Sequence, residues 1–546
     1  MPEPQASQSK LILFEDEHLL VVNKPAGWNT HAPSPFAGEG IYDWLRHREP
    51  RWATLAIIHR LDKETSGVLA FAKSREANRS LTAQFTEHSV SKRYLLVTDR
   101  PVKRRELTVV SALVRAGETY RSNPAGRVGE RAETRFRVRE TLAGKTWVAA
   151  EPITGRTHQI RVHAAESGFP VLGDGLYGGT AAARLHLHAE ELKLRHPATG
   201  EQVTFSAPAD FEADARRTLL EAIIDPVETN AFRLIHGAAD GWPGWHVDRL
   251  GEFLLSQSAK PLTPPELAHL RSLLHATRDT QHATRGAFHK ALQLQVRKSS
   301  PAEAAPQSVL GDAVPVRFEI RENGARFELS FSEGYSVGLF LDQRDNRRRF
   351  LTGHVAAGFP LWKDDVRAGG PHVLNTFAYT CGFSICAAKA GAHTTSLDLS
   401  KKYLEWGRRN FALNGLDATQ HDFIFGDTFD WLRRLAKKER LFDVVALDPP
   451  TFSQSKAGGV FRAEKDFERL VAAALPVLKP GGVLFASTNA ATLRPEEFVR
   501  QIEAAAANVG RRITQRHYVP QPPDFPITRE EPAYLKTLWM TIGEVG

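Results

Sequence analysis

The amino-acid sequence predicts a multidomain protein in which α+β domains precede an α/β domain. Three observations support this fold class. The chain has 546 residues, which is more than one hydrophobic core usually organises. Residues 1–222 mix short strand-like runs with amphipathic helices. From residue 325 onward, predicted strands and helices alternate regularly, as in a parallel sheet covered by helices.

The first region, residues 1–222, contains both strand and helix patterns. Leu19–Val22 and Tyr94–Val97 are short apolar runs that predict strands. The spacing of apolar residues in Ala77–His88 predicts an amphipathic helix. This mixture without regular alternation is typical of an α+β domain.

The second region, residues 223–324, begins near Asp225-Pro226. It contains a turn rich in glycine and proline at residues 237–244. A helical pattern follows at Pro264–Ala276. We expect a small α+β domain that links the two larger regions.

The third region, residues 325–546, repeats a strand–helix unit. The predicted strands are Val373–Phe377, Thr394–Asp398, Phe423–Gly426, Asp443–Leu447 and Gly482–Ala486. The predicted helices are Phe383–Ala390, Lys401–Asn414, Thr428–Arg440 and Asp466–Leu475. This order predicts a Rossmann-like sheet, in which ligands bind beyond the carboxyl ends of the strands.

The composition is that of a globular protein with a mild excess of positive charge. Hydrophobic residues make up 42% of the chain and charged residues 25%, which excludes a wholly disordered protein. The formal net charge is +8, and the segment Ser91–Glu140 alone contains 13 basic and 6 acidic residues. This cluster is either a solvated basic face or a surface that attracts the phosphates of a nucleic acid.

Cys381 and Cys386 are the only cysteines in the sequence. They cannot form a disulfide framework or a four-cysteine zinc site, and we expect no bound metal. Met1–Lys10 is polar and lacks the apolar core of a signal peptide. No apolar run approaches the ~20 residues of a membrane helix. We therefore expect a cytoplasmic protein without a membrane partner.

A carboxylate with basic neighbours follows a predicted strand in the first region. Residues 58–67 read Ile-His-Arg-Leu-Asp-Lys-Glu-Thr-Ser-Gly, so Asp62 lies between Arg60 and Lys63. A carboxylate with cationic neighbours stays ionised and could act as a nucleophile or a base. The alternative is a surface ion pair at a turn, and these residues alone favour that alternative.

Four side chains that can carry positive charge lie close together at residues 155–164. They are Arg156, His158, Arg161 and His163. The two histidines lack the i, i+4 spacing of a helical metal pair, and no cysteine or carboxylate ligand accompanies them. The segment is better suited to bind an anion or to position a carboxylate.

These segments resemble the motifs of the RluA-type pseudouridine synthases. Residues 58–67 are similar to the active-site signature, and Glu15–His31 is similar to the first motif. Lys92-Arg93-Tyr94 resembles the family's Lys-x-Tyr motif, and Gly155–Asp174 resembles its third motif. The four segments occur in the family's order over about 200 residues.

The resemblance implies a mixed, mainly antiparallel sheet and the isomerisation of uridine in RNA without a metal or an organic cofactor. It implies that Asp62 attacks the uridine, whose base detaches, rotates and rejoins through C5. Tyr94 would lie against the base as general base, Arg161 would pair with Asp62, and Arg60 would hold the flipped nucleotide. Flipping is required because a base inside a duplex does not expose its glycosidic bond. Since the first motif starts at Glu15, we expect no S4-type RNA-binding module before it.

Acidic residues follow successive predicted strands in the third region, at Asp398, Asp427 and Asp448. An acidic residue that ends the second strand typically accepts ribose hydroxyl groups, although each aspartate could instead cap a helix. Asp448 begins the segment Asp448-Pro449-Pro450-Thr451-Phe452. The two prolines fix the backbone, and Phe452 can stack on a planar base.

The second half of the chain resembles class I S-adenosylmethionine-dependent methyltransferases of the RlmI/RlmK type, which act on large-subunit ribosomal RNA. The resemblance covers roughly Phe232–Met540. The similar segments are Gly237–Asp248, Gly338–Arg344, Asn375–Ala392, Asp398–Asn414 and Asp443–Lys456. It implies S-adenosylmethionine as cofactor, held by Gln343, Arg344, Asn375, Thr376, Gly382, Asp398, Asp427 and Asp448. Pro449, Pro450 and Phe452 would contact the substrate base.

Cysteine positions bear on the cofactor loop and on the methylated atom. Family members commonly read Tyr-Thr-Gly where this chain has Tyr379-Thr380-Cys381, so a Cβ lies where the backbone approaches the cofactor. We expect the loop to adapt. Methylation of cytosine C5 needs a thiolate. Family members that methylate this atom carry the cysteine in the segment after the fifth strand. In this chain that segment is Ser487–Ala490, which contains no cysteine. Guanine N7 is therefore favoured over cytosine C5.

The resulting hypothesis is a bifunctional RNA-modifying enzyme. Its domains would be residues 1–222, a pseudouridine synthase, residues 223–324, a small α+β domain, and residues 325–546, a methyltransferase. Ribosomal RNA, in particular 23S rRNA, is the favoured partner. The alternative is a tRNA-directed synthase whose second half methylates another RNA or only binds RNA.

Overall fold

The computed structural model describes residues 11–123, 128–276, 283–292, 305–333, 336–362, 369–455 and 459–545. The expected absence of a signal peptide concerns residues 1–10, which lie outside this set, as does Lys456 of the last methyltransferase-like segment. No helix in the described ranges combines the length and the apolar character that crossing a bilayer requires.

The chain divides into two compact units. The first comprises residues 1–33, 39–46 and 54–225, and the second comprises residues 34–38, 47–53 and 226–546. The predicted boundary after residue 222 falls in the helix Ala215–Ile223. The predicted boundary after residue 324 falls in a two-stranded hairpin.

The strands of the first unit are β1 (Ile12–Glu15), β2 (Leu19–Lys24), β3 (Ala56–Ile57), β4 (Ser66–Ala72), β5 (Ser91–Thr98), β6 (Glu106–Ala116), β7 (Thr119–Asn123), β8 (Glu130–Leu142), β9 (Lys145–Pro152), β10 (Leu187–Arg195) and β11 (Gln202–Ser206). The helices are α1 (Ile41–Arg48), α2 (Arg75–Thr86), α3 (Gln159–Glu166) and α4 (Ala215–Ile223).

These strands form one mixed sheet in the order β1-β2-β4-β10-β5-β9-β8-β6-β7, with β3 on β4 and β11 on β10. The β4–β10 pair is parallel and the remaining pairs are antiparallel, so the predicted mixed, mainly antiparallel sheet is confirmed. The two predicted strands lie within β2 and β5. Helix α2 begins two residues before the predicted one, because the Ser74 side chain caps it by accepting a hydrogen bond from the Ala77 N–H.

The strands of the second unit are β12 (Ala231–His236), β13 (Trp245–Leu250), β14 (Phe253–Ser258), β15 (Gly286–Ala291), β16 (Gln307–Gly311), β17 (Phe318–Glu322), β18 (Ala325–Leu329), β19 (His354–Ala356), β20 (Phe359–Pro360), β21 (His372–Thr376), β22 (His393–Asp398), β23 (Asp422–Phe425), β24 (Phe442–Leu447), β25 (Phe452–Ser455), β26 (Gly459–Arg462), β27 (Leu478–Thr488), β28 (Arg511–Val519) and β29 (Lys536–Val545). The helices are α5 (Pro264–Ala276), α6 (Arg344–Thr352), α7 (Gly382–Lys389), α8 (Lys401–Leu413), α9 (Thr428–Lys437), α10 (Ala463–Ala474) and α11 (Pro495–Asn508).

A seven-stranded sheet dominates the second unit, in the order β23-β22-β21-β24-β27-β29-β28. Strands β21, β22, β23, β24 and β27 pair in parallel, and β29 is antiparallel to both of its neighbours. The predicted Rossmann-like sheet is confirmed. Strand order reverses between β21 and β24, so a ligand crevice is expected at the carboxyl ends of these two strands.

The smaller sheet, β12-β13-β14-β15-β16, precedes the seven-stranded one along the chain. Side chains alternate between its two faces. On one face, Trp245, Val247, Leu254 and Ala287 form a cluster with Leu270 of α5. Helix α5 therefore covers one face of this sheet and does not cover the opposite face.

Candidate active sites

Asp62 lies in the loop between β3 and β4, with its side chain partly exposed. Two basic side chains converge on its Oδ2 atom. Arg161 Nη1 is 3.9 Å away and His158 Nε2 is 4.0 Å away. The local sequence favoured a surface ion pair at a turn for Asp62. The structure instead shows two basic side chains from a distant segment of the chain beside it.

Arg161 is held by a second carboxylate. Its Nε and Nη2 atoms each donate to Asp174 at 2.7 Å, and both side chains are buried. The resemblance implied a pair of Arg161 with Asp62, but the bidentate partner is Asp174, and Asp62 makes the longer contact. A forked pair of this kind fixes the direction of the guanidinium.

His158 precedes α3 in a left-handed backbone conformation, with φ of 56°. Its Nδ1 lies 2.8 Å from the Tyr177 hydroxyl, which accepts a hydrogen bond from the Tyr120 N–H at 2.9 Å. Burial lowers the pKa of His158 and outweighs the opposing effect of Asp62. The predicted site set did not include Asp174 or Tyr177, since nothing in their local sequence shows which side chains they meet.

Tyr94 lies on β5, and burial together with the negative charge of Asp62 raises its pKa well above the usual range. The phenol is therefore protonated at neutral pH. Arg60 is exposed. Its neighbour His59 is turned inward and accepts a hydrogen bond from the Ala70 N–H.

Only two of the four cations predicted at residues 155–164 reach Asp62. The ring of His163 lies between Ser111 and Thr134, at 2.9 Å from each hydroxyl, and the residue is fully buried. Arg156 Nη1 instead lies 3.4 Å from Glu130 Oε2. Arg161 lies in the first turn of α3 and His158 is the left-handed residue that precedes this helix, so both side chains come from the start of α3.

Part of the basic cluster at residues 91–140 is paired with carboxylates outside that segment. Arg93 contacts Glu190 at 3.1 Å and Glu191 at 2.7 Å. Arg139 also contacts Glu190, at 2.5 Å. These pairs reduce the free positive charge of this surface, so the net excess in the sequence overstates its attraction for phosphates.

In the second unit, a strained loop joins β21 to α7, which begins at Gly382. Phe377, Tyr379 and Cys381 all have positive φ, at 55°, 49° and 65°. The Asp398 carboxylate at the end of β22 accepts hydrogen bonds from the Tyr379 N–H at 2.9 Å and the Ser400 N–H at 2.8 Å. It therefore fixes the loop beside the strand end.

The two polar residues that end β21 are buried. Asn375 donates to the Ser384 hydroxyl at 2.9 Å, and the Thr376 hydroxyl donates to the Ala446 carbonyl at 2.8 Å. Both contacts tie β21 to its neighbours in the fold. Their predicted role in cofactor binding stays a prediction.

The Cys381 side chain packs against α8. A Cβ at Gly407 would lie only 2.3 Å from Cys381 Sγ, so the thiol occupies the space that the glycine leaves. Burial raises the pKa of Cys381 to about 12. The left-handed backbone and this glycine accommodate the cysteine within the loop.

Asp448, at the end of β24, meets Gln343 from the segment before α6. Gln343 Nε2 donates to Asp448 Oδ1 at 3.1 Å and to the Ser487 hydroxyl at 2.7 Å. Burial raises the pKa of Asp448 to about 6. The structure therefore brings together two predicted cofactor-site residues from different segments.

Two other predicted cofactor residues have structural partners. Arg344 donates to Asp524 at 2.6 and 2.8 Å within the buried interior. Asp427 is the N-cap of α9 and accepts a hydrogen bond from the Asp430 N–H at 3.1 Å. These contacts match the alternative of a helix cap for Asp427.

The predicted base platform follows Asp448 directly. Pro449 is buried and Pro450 is exposed. Phe452 begins β25 and is 37% exposed, so its ring is accessible to a ligand. Arg462 lies opposite Phe452 in the β25–β26 hairpin.

The crevice has the donor and acceptor chemistry that S-adenosylmethionine requires. The left-handed loop at residues 377–381 can direct backbone N–H groups toward a carboxylate, as such turns do in anion sites. Asp398, whose two oxygens accept backbone N–H groups, is the kind of acidic residue that binds ribose hydroxyl groups at the end of the second strand; for this chain that role stays a prediction. Gln343 and Asp448 add polar groups at the neighbouring strand end.

Two family models match the chain. The model of RNA pseudouridylate synthases matches residues 18–166, and the model of S-adenosylmethionine-dependent methyltransferases matches residues 232–540. The ribosomal large subunit pseudouridine synthases C of Salmonella typhimurium and Escherichia coli are each 40% identical over 220 residues. The match covers 38% of this chain and 68% of each relative.

Solved structures also match each half. A SAM-dependent methyltransferase from Streptococcus mutans is 25% identical, with 64% of this chain and 87% of that chain covered and a TM-score of 0.48. Human RNA pseudouridylate synthase domain containing 1 is 30% identical, with 38% and 87% covered and a TM-score of 0.32. The family models and the curated relatives show that the chain belongs to the RNA pseudouridylate synthases through its first unit and to the S-adenosylmethionine-dependent methyltransferases through its second.

Proposed function

We propose that this chain modifies ribosomal RNA in the cytoplasm by two reactions, uridine isomerisation in the first unit and base methylation in the second. The names of the curated relatives, pseudouridine synthases of the large ribosomal subunit, support the choice of RNA. Within the methyltransferases, we propose the RlmI/RlmK type. The observation that carries the proposal is the convergence of Arg161 and His158 on Asp62.

In the first unit, Asp62 is the proposed nucleophile. As the Asp62 carboxylate forms a bond to C1′, the glycosidic bond between C1′ and N1 breaks and its electron pair leaves with N1 of the uracil. After the base rotates, C5 forms a bond to C1′ and displaces the carboxylate; the C5 proton is then lost and N1 gains one. Arg161 lies 3.9 Å from the attacking carboxylate, and Asp174 holds Arg161 in this direction. Arg60, exposed beside the site, is the proposed contact for the flipped nucleotide.

Tyr94 is the proposed contact for the uracil ring. Its buried phenol keeps its own proton at neutral pH, so it can accept the C5 proton only if that phenolic proton leaves at the same time. The buried, protonated phenol therefore supports a role for Tyr94 in positioning the base. The resemblance implies proton acceptance as a second role.

The nucleophile assignment is tested by Asp62→Asn. We expect pseudouridine formation on bulk RNA to be abolished, because an amide neither attacks C1′ nor carries the negative charge that Arg161 faces. Glu118→Gln, at an exposed carboxyl in the same unit, is the matched control and should retain full activity. Pseudouridine formation by Asp62→Asn at the wild-type rate would refute the assignment.

In the second unit, S-adenosylmethionine, when bound, supplies an electrophilic methyl group. We propose that Asp398 binds its ribose, that the loop at residues 377–382 contacts its amino-acid end, and that Gln343 and Asp448 position the reacting groups. Arg344, Asn375, Thr376 and Asp427 are the remaining candidates around the crevice. Pro449, Pro450 and the accessible Phe452 would support the substrate base.

We propose guanine N7 as the methylated atom, rather than cytosine C5. Attack by a ring nitrogen needs only positioning, whereas C5 chemistry needs a thiolate. Ser487, in the segment that would carry that cysteine, accepts a hydrogen bond from Gln343. Burial raises the pKa of both Cys381 and Cys386 to about 12, which keeps both thiols protonated.

Calorimetric titration with S-adenosylmethionine tests the methyltransferase proposal first. Absence of binding at high micromolar concentration would refute the methyltransferase proposal and favour the alternative in which the second half only binds RNA. Nucleoside mass spectrometry of ribosomal and transfer RNA from cells with and without the protein then tests the target. We expect loss of pseudouridine and 7-methylguanosine from ribosomal RNA; 5-methylcytidine as the product would overturn the argument from the thiols.

A further inference from the structure

A turn that follows α3 carries two side chains that support the Asp62 site. In this turn the Tyr177 N–H donates to the Asp174 carbonyl at 3.2 Å. The Asp174 carboxylate orients Arg161, as described above. Tyr177, three residues later, reaches the other basic side chain of the site, and the reaction described above gives it no role.

The Tyr177 hydroxyl has two partners, and together they fix the position of its proton. It accepts a hydrogen bond from the Tyr120 N–H at 2.9 Å and lies 2.8 Å from His158 Nδ1. Burial raises the pKa of Tyr177 above its ordinary value, so the phenol keeps its proton at neutral pH. Within the described ranges of the chain, His158 Nδ1 is the one acceptor within hydrogen-bonding distance of that proton. The phenol therefore donates to Nδ1.

This hydrogen bond determines the tautomer of His158. A neutral imidazole has one N–H and one acceptor nitrogen, so an accepting Nδ1 leaves the ring proton on Nε2. Nε2 is the atom that lies 4.0 Å from Asp62 Oδ2, and a lone pair there would face a negative charge. Burial lowers the pKa of His158, which keeps the ring neutral. Both neighbours of the ring thus place its single proton toward Asp62.

The imidazole of His158 is also held in place by its surroundings. The rings of Tyr120 and Tyr177 both stand edge-on to it, with centroids 5.6 Å away. The backbone of His158 is left-handed, with φ of 56°, a conformation that is unfavourable for a residue with a Cβ and persists where the surrounding structure requires it. The Tyr177 ring also lies 5.1 Å from the Arg161 guanidinium. One tyrosine therefore contacts both basic side chains that converge on Asp62.

The charge of these side chains bears on the reactivity of Asp62. Its carboxylate loses its negative charge when it bonds to C1′ and regains that charge when C5 displaces it. A contact that stabilises the free carboxylate more than the transition state slows the attack. Arg161 shares its positive charge with Asp174. A neutral N–H donor from His158 can orient the carboxylate without adding a second positive charge.

We propose that His158 is a positioning residue that holds Asp62 Oδ2 as a neutral Nε2–H donor, and that Tyr177 fixes this tautomer. The inference rests on the proposed pseudouridine reaction. Both basic side chains approach Oδ2, so Oδ1 forms the bond to C1′ as N1 takes the electron pair of the glycosidic bond. We expect the separation of 4.0 Å to shorten to hydrogen-bond length when RNA binds, as contacts in free active sites commonly do.

Solid-state NMR of the full chain, with histidine labelled with nitrogen-15, tests the tautomer without an activity assay. The His158 signals are assigned by their absence from His158→Gln. At neutral pH we expect an unprotonated Nδ1 and a protonated Nε2 in the wild type. In Tyr177→Phe the Nδ1 signal should move, because its hydrogen-bond donor is gone. A protonated Nδ1 in the wild type, in a neutral ring or in an imidazolium, would overturn the proposal.

The kinetic test compares His158→Ala with His158→Gln in single-turnover pseudouridine formation on RNA from cells that lack the protein. The glutamine amide can place an N–H near the position of Nε2, whereas alanine offers none. We expect at least a 10-fold loss of rate with alanine, the effect of losing a hydrogen bond to a charged group, and a rate within threefold of wild type with glutamine. Equal losses in both variants would assign the ring a packing role only and overturn the proposal.

His88→Ala is the matched control for the alanine variant. His88 is exposed and has the same left-handed backbone, with φ of 55°, so this change tests the effect of alanine in that conformation away from the site. The variant should form pseudouridine at the wild-type rate.

Tyr177→Phe removes the hydroxyl and keeps the ring beside Arg161. We expect the single-turnover rate to fall about 3- to 10-fold, the effect of losing a neutral hydrogen bond. Tyr42→Phe is the control, since it removes a hydroxyl that donates to the Leu55 carbonyl at 3.0 Å. It should lower the urea midpoint of unfolding and leave the rate unchanged. A wild-type rate for Tyr177→Phe would overturn the part assigned to this tyrosine.

These measurements separate the inference from the proposed function. If the wild-type chain forms no pseudouridine, the proposed function fails, and the nitrogen signals of His158 still decide the tautomer. If Asp62→Asn is inactive while His158→Ala reacts at the wild-type rate, the proposed function stands and this inference fails.

Discussion

At the residue scale, the site of the first unit depends on one buried ion pair. Asp174 engages two nitrogens of Arg161, and the third nitrogen lies 3.9 Å from Asp62. The direction in which Arg161 points is therefore set by a carboxylate that does not itself face the substrate. Asp174 is a positioning residue in this scheme.

Asp174→Asn should damage both the fold and the pseudouridine reaction. Loss of the charge leaves the Arg161 guanidinium buried without its counter-ion, which costs about 3 kcal/mol in the free energy of unfolding. We expect at least a 10-fold loss of pseudouridine formation at a temperature where the variant is folded. Urea unfolding and a tritium-release assay measure the two effects.

Glu106→Gln is the control for this prediction. It removes the partner of Arg137 in an ion pair whose side chains are 72% and 74% exposed, so neither stability nor activity should change. An Asp174→Asn variant with wild-type stability would show that the buried pair has no structural role.

Asp448 gives a residue-scale prediction for the second unit. Its pKa of about 6 in the folded protein exceeds the ~3.9 of an unfolded aspartate. The stability that the protonated carboxyl contributes is full below about pH 4 and is lost as the pH rises through 6. Asp448→Asn should therefore gain stability relative to wild type at higher pH.

We expect that gain in the free energy of unfolding to grow by about 1 kcal/mol between pH 5 and pH 8. The value is kept small because the Asp448 side chain is only half-buried, so solvent screens part of the effect. Urea unfolding of both proteins at the two pH values measures it. Glu439→Gln, an exposed carboxyl, should show no such change. A pH-independent difference for Asp448→Asn would contradict the raised pKa.

At the scale of elements, the contact between the cofactor loop and α8 is set by one thiol and one glycine. Gly407→Ala would place a Cβ 2.3 Å from Cys381 Sγ. Such overpacking should cost about 1–3 kcal/mol of stability. Because it displaces the loop, it should also weaken binding of S-adenosylmethionine in calorimetric titration.

Cys381→Gly in the same chain should restore the stability of Gly407→Ala, and a double-mutant cycle gives the coupling energy. Gly38→Ala, where a Cβ would meet no atom within 4 Å, is the control. Additive changes in the free energy of unfolding would show that the Cys381 thiol and the Gly407→Ala methyl group are not in steric conflict.

The elements themselves were largely predictable from the sequence. The five predicted strands and four predicted helices of the third region coincide with β21–β24, β27 and α7–α10 within a few residues, because periodic burial is a local property of the chain. The packing of the Cys381 side chain was not predictable from the sequence, because Gly407, which leaves the space for the thiol, lies on the following helix. The loop was expected to adapt, but the means of adaptation required the structure.

The candidate sites were predictable only in part for the same reason. The sequence grouped Arg161 and His158 with Arg156 and His163 as one basic segment, but it did not show that only the first two would approach Asp62 or that His163 would be buried. The partner of Arg161 is thirteen positions further on, in a loop whose path no local pattern specifies. Tyr177 lies 19 positions after His158, and only the tertiary fold shows that its hydroxyl meets the histidine ring.

At the scale of the whole molecule, the two units have separate hydrophobic cores. One core of the first unit is built from β2, β4, α2 and β10, including Val21, Val68 and Leu192. A core of the second unit is built around the seven-stranded sheet, including Val445 and Leu484. The two proposed reactions therefore depend on different interiors.

The two activities should be separable in the intact chain. Asp62→Asn should abolish pseudouridine formation and leave 7-methylguanosine formation within twofold of wild type. Asp398→Ala should abolish methylation and leave pseudouridine formation within twofold. Mass spectrometry of one RNA sample reports both products, and loss of both from either variant would contradict independent sites.

The charge of the whole molecule also needs the fold for its interpretation. Arg93 lies directly opposite Glu191 in the β5–β10 pair, almost a hundred residues away in sequence. Cross-strand pairs of this kind neutralise charges that a count along the chain leaves unpaired. Arg131 and Arg137 are exposed, and each also lies in an ion pair within the segment, with Glu133 and Glu106.

The position of β29 has a consequence for synthesis on the ribosome. This strand comes later in the chain than every other strand of its sheet, yet it lies between β27 and β28. The first unit has all its strands by Ser206, whereas the second sheet stays divided until translation passes residue 536. At roughly 5–20 residues per second, about 3 to 11 seconds pass between synthesis of the end of β27 and of the end of β29. During that time the nascent methyltransferase has an open interior edge, and we expect it to need a chaperone more than the synthase does.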